Sequence, residues 1–466
     1  METLTQSRIE ALRADLAGIA LADDAATLKL KSRDFFWFSP VLKPLLDDKR
    51  AELVVSPRSK AEVIRVAAAC ARHRVPLTVR GGGTGNYGQA VPLAGGIILD
   101  MGGLDRIVSV VPGAGRFEAG ARLLDIDKGL RRERWELRFH PSTRKQATIG
   151  GFTAGGAAGC GSCTWGQNSD PGALIAVEVV TVEERPRVVE LTGRDALKVL
   201  HAYGVNGIIT EVAVPLAPWQ PWAERIAAFP TLADAARFGM AFTAAEGIAK
   251  KEVGIFDRRI PPLLKRIAPL IPAGQAMAIL MVAEPQADAM AEMVADHGGA
   301  VVYSRSAAEA EEAAFTGRGA MPPLYEYTWN HTTLHALKVE PGITYLQVRF
   351  PAGGELALTA AAEAAFGDEL LLHLEFQRRF GRVFVSALPL LRYRSADRLA
   401  EIVREIETLG GAVSNPHTYV LDNAGWKRTD APQAEFKSIA DPYGLMNPGK
   451  LKAWPPEGAA ERRTAP

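Results

Sequence analysis

Residues 79–88 read Val79-Arg80-Gly81-Gly82-Gly83-Thr84-Gly85-Asn86-Tyr87-Gly88, five glycines in ten residues. A backbone so poor in Cβ atoms either turns freely or lets another group come very close. Its neighbours narrow the choice. Upstream, "ELVVSP" (52–57) reads as a strand, and Ser59-Lys60-Ala61-Glu62 is a capping-box pattern. The helix it opens is expected to run to about Arg74, with Val63, Ala67, Cys70 and Ala71 at helical spacing. "VPLTV" (75–79) is the next strand, and "GGIILDM" (95–101) follows the glycines.

Three readings compete for these glycines. A phosphate loop of the G-x-x-x-x-G-K-[ST] type needs a lysine after them, and none follows. A dinucleotide fingerprint needs a helix after them, with its N-terminus facing a pyrophosphate. Here loop and strand follow, and the helix comes before. The third reading is a nest of successive backbone N–H groups that grips an anion without a helix. A second run, "TIGGFTAGGAAGCGSCTWG" (148–166), adds weight to it. Two runs of small residues can converge on one extended, phosphate-bearing ligand, held by neutral donors plus Arg80. Two ordinary glycine-rich turns remain the plain alternative.

The chain has 466 residues, enough for two or three domains. Its 54 basic and 53 acidic residues give a net charge of +1, which leaves no electrostatic footprint for nucleic acid. No run approaches a membrane-spanning length. The polar, mixed-charge opening "METLTQSRIEALRADL" reads as helix rather than signal peptide, so a cytoplasmic setting is expected. Three cysteines make no disulfide framework. Cys70 sits at a core position of its helix. Cys160-Gly161-Ser162-Cys163 has no second Cys pair for a structural zinc, and three thiols are too few for an iron–sulfur cluster.

Further along, "LIAVEVVTV" (174–182) and "RVVEL" (187–191) read as strands, and residues 195–216 as helix, loop and strand. The Pro/Trp-rich "APWQPW" (217–222) is read as a boundary. From 223 to about 411 the pattern becomes α+β with a mixed or antiparallel sheet. "IAAF", "KEVGIF", "MAILMVA" and "AVVYSR" are strands, with helices at 231–248 and 285–298. A second set repeats the theme: "YEYTWNHTT" (325–333) and "ITYLQVRF" (343–350) as strands, a helix at 354–366, a hairpin at 371–391 and a closing helix at 395–411. The two sets suggest a loose internal duplication. From 412 onward the chain reads as loop-rich, with a polar, frayed end.

Four separated patches carry a resemblance. They are residues 55–107 around the first glycines, "HPSTRKQATIGGFTAGGAAG" (140–159) with "WGQNSDPGALIAVEVVT" (165–181), "HAYGVNGIITEVAVPL" (201–216), and "DPYGLMNPGKL" (441–451). In order and spacing they resemble the flavin-binding fold of the vanillyl-alcohol oxidase and p-cresol methylhydroxylase (PCMH) superfamily. The pattern is nearest the glycolate oxidase and D-lactate dehydrogenase-like branch. The resemblance implies an N-terminal helical segment (1–48), a PCMH-type FAD-binding domain (49–218), an inserted α+β cap (219–411) with a largely antiparallel sheet, and a return to the FAD domain (412–466). It implies that Arg80, Gly81, Gly82, Gly83, Thr84, Gly85, Asn86 and Tyr87 wrap the FAD pyrophosphate. It places Pro141, Ser142, Thr148, Gly150, Gly151, Ala154 and Gly155 along the flavin and ribityl chain, with Gly207, Ile208 and Ile209 contacting FAD through their backbone. Asn447 and Lys450 would sit beside the flavin or lock the returning tail. Relatives that attach FAD covalently through this loop carry His just after the glycines. Thr84 stands there instead and lacks that nucleophile, so non-covalent FAD is expected.

In such a fold the substrate lies between flavin and cap, and the protein supplies a base and an anchor. A histidine suits proton acceptance near neutral pH. Of eight histidines, His73, His201 and His297 read as helix residues with structural roles. His140 stands beside the second run, and His373 lies in the cap hairpin. "WNHTTLHALK" (329–338) gathers Trp329, Asn330, His331, His335 and Lys338, an unusual polar and aromatic density. The i, i+4 spacing of His331 and His335 would suit a metal on a helix. Their surroundings read as strand, and no metal is expected. Gln347 and Arg349 alternate on a strand and share a face, where Arg349 can hold a carboxylate bidentately. His417 precedes the tail in an Asn-Pro-His-Thr context. The expected catalytic set is His331, His335, Arg349 and His417. It serves hydride transfer from a hydroxyl-bearing small molecule, foremost a 2-hydroxy acid, to FAD. Two alternatives stay open. One is oxidation of a phenol or aromatic alcohol in a pocket lined by Tyr325, Tyr327 and Trp329. The other is a flavoprotein subunit that passes electrons to a protein or quinone.

Overall fold

The computed structural model describes residues 6–319, 321–423 and 431–451. Near the N-terminus, Ser59 caps the helix Lys60–His73, accepting a hydrogen bond from Glu62 N at 3.2 Å. The helix buries Val63, Val66, Ala67, Cys70 and Ala71 against a four-stranded sheet. Leu53–Ser56, Ile97–Asp100 and Leu77–Arg80 run parallel in that sheet. Parallel neighbours need a long crossover, and residues 81–96 provide one without a helix. The glycine run is therefore the start of a crossover at the end of a sheet. The fourth strand, Ala20–Ala22, pairs with Leu53–Ser56 inside a segment read from sequence as helical.

A second sheet is antiparallel. Its order is Ile107–Val111, Ala114–Glu118, Ile208–Pro218, Ala176–Val180 and Val188–Thr192, and Trp135–Leu137 pairs with the far end of Ile208–Pro218. Residues 193–198 form a 3-10 turn where sequence suggested a helix. The tail also differs from expectation. Ala431–Ala440 is a helix, with Phe436 and Ala440 in the core of this second sheet. The chain then returns to the first sheet, where Asn447 N donates to Leu77 O at 2.7 Å.

The largest sheet has eight antiparallel strands in the order 300–305, 222–229, 276–283, 250–256, 373–379, 382–387, 347–349 and 412–414. Two βαββαβ units meet at its centre, where Gly254 faces Glu375. In each unit the first strand and the hairpin lie inside and the last strand outside. The duplication suspected from sequence is thus explicit in the topology, with two changes. The segment 325–333 is not a strand of the second unit, whose last strand is Ala412–Ser414 instead. The "ITYLQVRF" stretch splits. Ile343–Tyr345 joins a separate three-stranded sheet, and Gln347–Arg349 joins the large one. One face of the large sheet packs Val253, Ile255, Leu374, Phe376, Val385 and Val348 on its helices. Strand alternation puts Glu252, His373, Glu375, Gln377, Ser386, Gln347 and Arg349 on the other face.

Candidate functional site

The polar face of the second unit and the two glycine runs enclose one cavity of about 680 Å³. That lies within the usual range for small-molecule sites. Its glycine wall is set by contact between the runs. A Cβ on Gly82 would overlap the Gln146 carbonyl, and one on Gly81 would overlap the Thr148 hydroxyl. Gly83 has a φ of 63°, the left-handed region that suits glycine. Thr148 Oγ1 accepts from Gly151 N at 3.2 Å and caps a short helix, Ile149–Gly155. The second run, read from sequence as a loop, thus begins as a helix, whose first N–H groups are bonded to Ala121 O, Ala119 O and Thr148 Oγ1. Gly150 lies against Ala119, so close that a Cβ would collide with it.

Of the residues assigned to the cofactor, Gly81 to Tyr87, Pro141, Ser142, Thr148, Gly150, Gly151, Ala154, Gly155, Gly207 and Ile209 line this cavity. Four do not. Arg80 points to the other side of its loop, where its guanidinium donates to Lys31 O at 3.0 Å and to Arg33 O. Ile208 is packed in the core of the first sheet. Asn447 Nδ2 donates to Gln89 O and Tyr203 O, each at 2.7 Å, and Lys450 Nζ donates to Gly88 O. Both residues lock the returning tail onto the glycine crossover. Burial pushes the Lys450 amine down to about 7 and the nearby Asp34 carboxyl up to about 6.

Of the four candidate catalytic residues, His331 and Arg349 line the cavity. His335 turns away, with Nε2 3.0 Å from Glu326 O and its ring stacked on Tyr327 at 4.2 Å. His417 is buried between Ser39 Oγ, 2.7 Å from Nδ1, and Tyr345 O, 2.9 Å from Nε2. Both are structural: their ring nitrogens are already satisfied away from the cavity. The segment expected as strand is helical, a 3-10 turn at Leu324–Tyr327 followed by the helix His331–Ala336. Its i, i+4 histidines nonetheless diverge, one to the cavity and one to the core. Among the described residues no group of three or more His, Cys, Asp or Glu side chains comes together to hold a metal. Of the three aromatic residues proposed for a phenol pocket, only Trp329 reaches the cavity.

Burial, reinforced by His335, holds the His331 imidazole at about 4, so it is neutral at pH 7. Gln347 Nε2 donates to the Tyr87 hydroxyl, which ties the first glycine run to the sheet. The Tyr87 phenol therefore stands at the sheet end of the cavity, and burial raises it to about 12. Arg349 and Arg379 line the cavity, and no Asp or Glu does among the described residues. Among the buried polar atoms of the lining side chains, the acceptor Asn330 Oδ1 and the donor Gln377 Nε2 have no hydrogen-bond partner. Such atoms are costly unless a ligand or water satisfies them. A site built this way accepts an anion and a hydroxyl.

Sequence reading missed several contributors. Phe35 and Phe38 come from the N-terminal segment. His201, read as helical, lies in a loop at a φ of 54° and lines the cavity, as does Tyr203. Gln377, Arg379 and Ser386 come from the hairpin. A signal existed for the hairpin residues: Glu375 and Gln377 alternate with apolar Leu374 and Phe376.

A flavin fits these residues. The runs pack so closely that side chains are excluded, and both line a long cavity that ends at the polar sheet face. Residues 51–189 match the model of a family described as an FAD binding domain. The glycolate oxidase subunit GlcD of Escherichia coli is 31% identical over 37% of this chain and 36% of its own length. The chain thus spans about a third of that relative. The glycolate oxidase subunit GlcD of Bacillus subtilis is 23% identical over 86% of this chain and 89% of its own. A solved alkyldihydroxyacetonephosphate synthase shares the fold, with a TM-score of 0.70 and 15% identity over 96% of this chain and 86% of that one. Residues 51–189 of this chain are accordingly an FAD-binding domain of the PCMH type, and FAD is its cofactor.

Proposed function

We propose that this protein oxidises a 2-hydroxy acid, with FAD held non-covalently in the cavity. The observation that carries the reading is the meeting of Arg349, His331 and Gln347 with both glycine runs around one space that no Asp or Glu lines among the described residues. Bound FAD supplies a two-electron acceptor for the substrate's C–H hydride. The chain's own residues do the rest. The Arg349 guanidinium holds the substrate carboxylate in a charge-assisted pair. His331, a neutral imidazole, takes the hydroxyl proton as the carbonyl forms, and the nearby carboxylate steadies the resulting imidazolium. Gln347 and Tyr87 fix the distance between the two walls.

In this reading residues 49–218 and 412–466 form the FAD module, 219–411 form the cap, and 1–48 brace the first sheet. The GlcD relatives are named as subunits of glycolate oxidases, which supports both the 2-hydroxy acid and an electron-accepting partner protein or quinone. All three cysteines are free and buried, in keeping with a reducing cytoplasm. Among the described residues no helix is long and apolar enough to cross a membrane.

Anaerobic bleaching of the yellow protein by a panel of 2-hydroxy acids and phenols tests the proposal. Bleaching by a hydroxy acid and not by phenols is expected. Bleaching by phenols alone overturns it, and no bleaching at all leaves the electron-transfer subunit as the better account.

A further inference from the structure

Behind the cavity wall, at the seam between the two units of the large sheet, lies a buried group that the proposed chemistry does not use. Glu375, His373 and Glu252 are 0%, 0% and 2% exposed. Glu375 Oε1 accepts from Trp329 N at 2.7 Å and from His373 Nε2 at 2.7 Å. Glu252 Oε2 accepts from Trp329 Nε1 at 3.1 Å. The two acids sit on paired strands and the same sheet face, and Glu375 Oε2 is buried with no hydrogen-bond partner. Trp329 is therefore held at both ends, backbone and indole, by two acids on neighbouring strands.

Trp329 itself is strained. Its φ of 53° lies in the left-handed region, an outlier for a bulky side chain. Such conformations persist only where the surroundings over-determine them. The next two residues, Asn330 and His331, also line the cavity. Two buried carboxylates this close cannot both carry charge. A proton on Glu252 donated to Glu375 would remove the repulsion and give Glu375 three donors: Glu252, His373 and Trp329 N. Burial pushes the Glu252 carboxyl well up, and Glu375 up to about 7, in the same direction. His373 stays neutral, because burial holds it at about 3. The other titratable groups near the pair are the thiols of Cys160 and Cys163 and the amine of Lys251, all buried.

We propose that Glu252 and Glu375 are positioning residues: sharing one proton, they clamp Trp329 in its left-handed conformation and so aim Asn330 and His331 into the cavity. The consequence for turnover rests on the 2-hydroxy acid reading, but the clamp itself does not. FAD-loaded protein carries the test. The infrared difference spectrum at pH 7 between the parent and Glu252→Gln should contain the carbonyl band of one protonated carboxylic acid, and its absence overturns the shared proton. In a crystal structure of Glu375→Leu, Trp329 should leave the left-handed region and His331 should leave the cavity. An unmoved Trp329 overturns the clamp. With a 2-hydroxy acid that bleaches the parent, Glu375→Leu should lower kcat about 100-fold, the scale of an ångström-level misplacement. Glu375→Gln, which keeps an acceptor for Trp329 N, should restore most of it, and equal kcat in all three proteins overturns the positioning role. If no hydroxy acid bleaches the parent, the function fails while the band and the Trp329 geometry still decide the clamp. If Glu375→Leu does not fold, Glu252→Leu, which removes the acceptor for the Trp329 indole, carries the same crystallographic and kinetic readouts.

Discussion

The two units of the eight-stranded sheet share one topology and do different work. In the first, the face turned from the helices carries Ile226, Phe256, Met277 and Ile279, which build an apolar core with Tyr327 and Leu390. Its main polar feature is a closed pair, Arg305 with Glu224 at 3.0 Å, both nearly buried. In the second, the same face offers Gln347, Arg349, Gln377, Arg379 and Ser386 to the cavity, and no strand of the first unit lines it. One architecture thus yields a half closed into apolar core and a half open to the cavity. The difference lies in which side chains occupy alternate positions, since the backbone hydrogen bonding is the same.

The comparison can be broken most sharply at His331, in the segment that joins the units. His331→Ala should lower kcat by about 10²–10⁴-fold if the imidazole takes the substrate proton, measured by stopped-flow reduction of the flavin. An unchanged rate would give the base role to another group. In the first unit, Arg305→Met strands the Glu224 carboxyl in the core. It should cost about 3–5 kcal/mol of stability, seen by urea unfolding, with kcat and KM of the folded fraction unchanged. A selective change in KM would mean that the first unit also shapes the site.

Arg349→Ala should raise KM for a 2-hydroxy acid by roughly 10–100-fold, the worth of a hydrogen bond to a charged group, with a smaller effect on kcat. Equal loss for a neutral alcohol would remove the carboxylate anchor from the mechanism. A gentler contrast comes from pH. Glu224 is raised to about 7 by burial, so its contribution to stability is full below its unfolded value of 4.5 and is lost as pH rises through 7. His331 and His373 are lowered to about 4 and about 3, so theirs is present above 6.5 and is lost as pH falls toward 4. Melting profiles should show Glu224→Gln flattening the alkaline side and His331→Asn flattening the acid side. A swap of those effects would invert the assignment. The smallest test concerns attachment. Acid precipitation should release all of the FAD into the supernatant, because Thr84 offers no imidazole.

Much of this was legible in the chain. The Ser59 cap, the helix Lys60–His73, the strands beside it and the glycine-rich loop between them follow from local pattern. So does the antiparallel hairpin His373–Ala387, whose apolar and polar residues alternate. The errors share a cause. The segment around Trp329 looked like strand because it is aromatic and β-branched, yet its conformation is set by Glu252 and Glu375, distant in sequence. His335 and His417 looked functional as polar residues in good company, while Asn447 and Lys450 take the second of their two expected roles and lock the returning tail. Each is spent on a hydrogen bond to a backbone carbonyl elsewhere in the fold.

By itself the sequence determined where the backbone must be bare and which face of each strand is polar. Both are local properties, set by the missing Cβ of glycine and by the two-residue period of a strand. Only the tertiary structure decided which of those places meet. Gly82 lies on Gln146, and Tyr87 reaches Gln347 across 260 residues. His331 turns to the cavity while His335, one helical turn on, turns to the core. Those choices rest on burial and long-range packing, which combine contributions from many distant residues and leave no local trace in the chain.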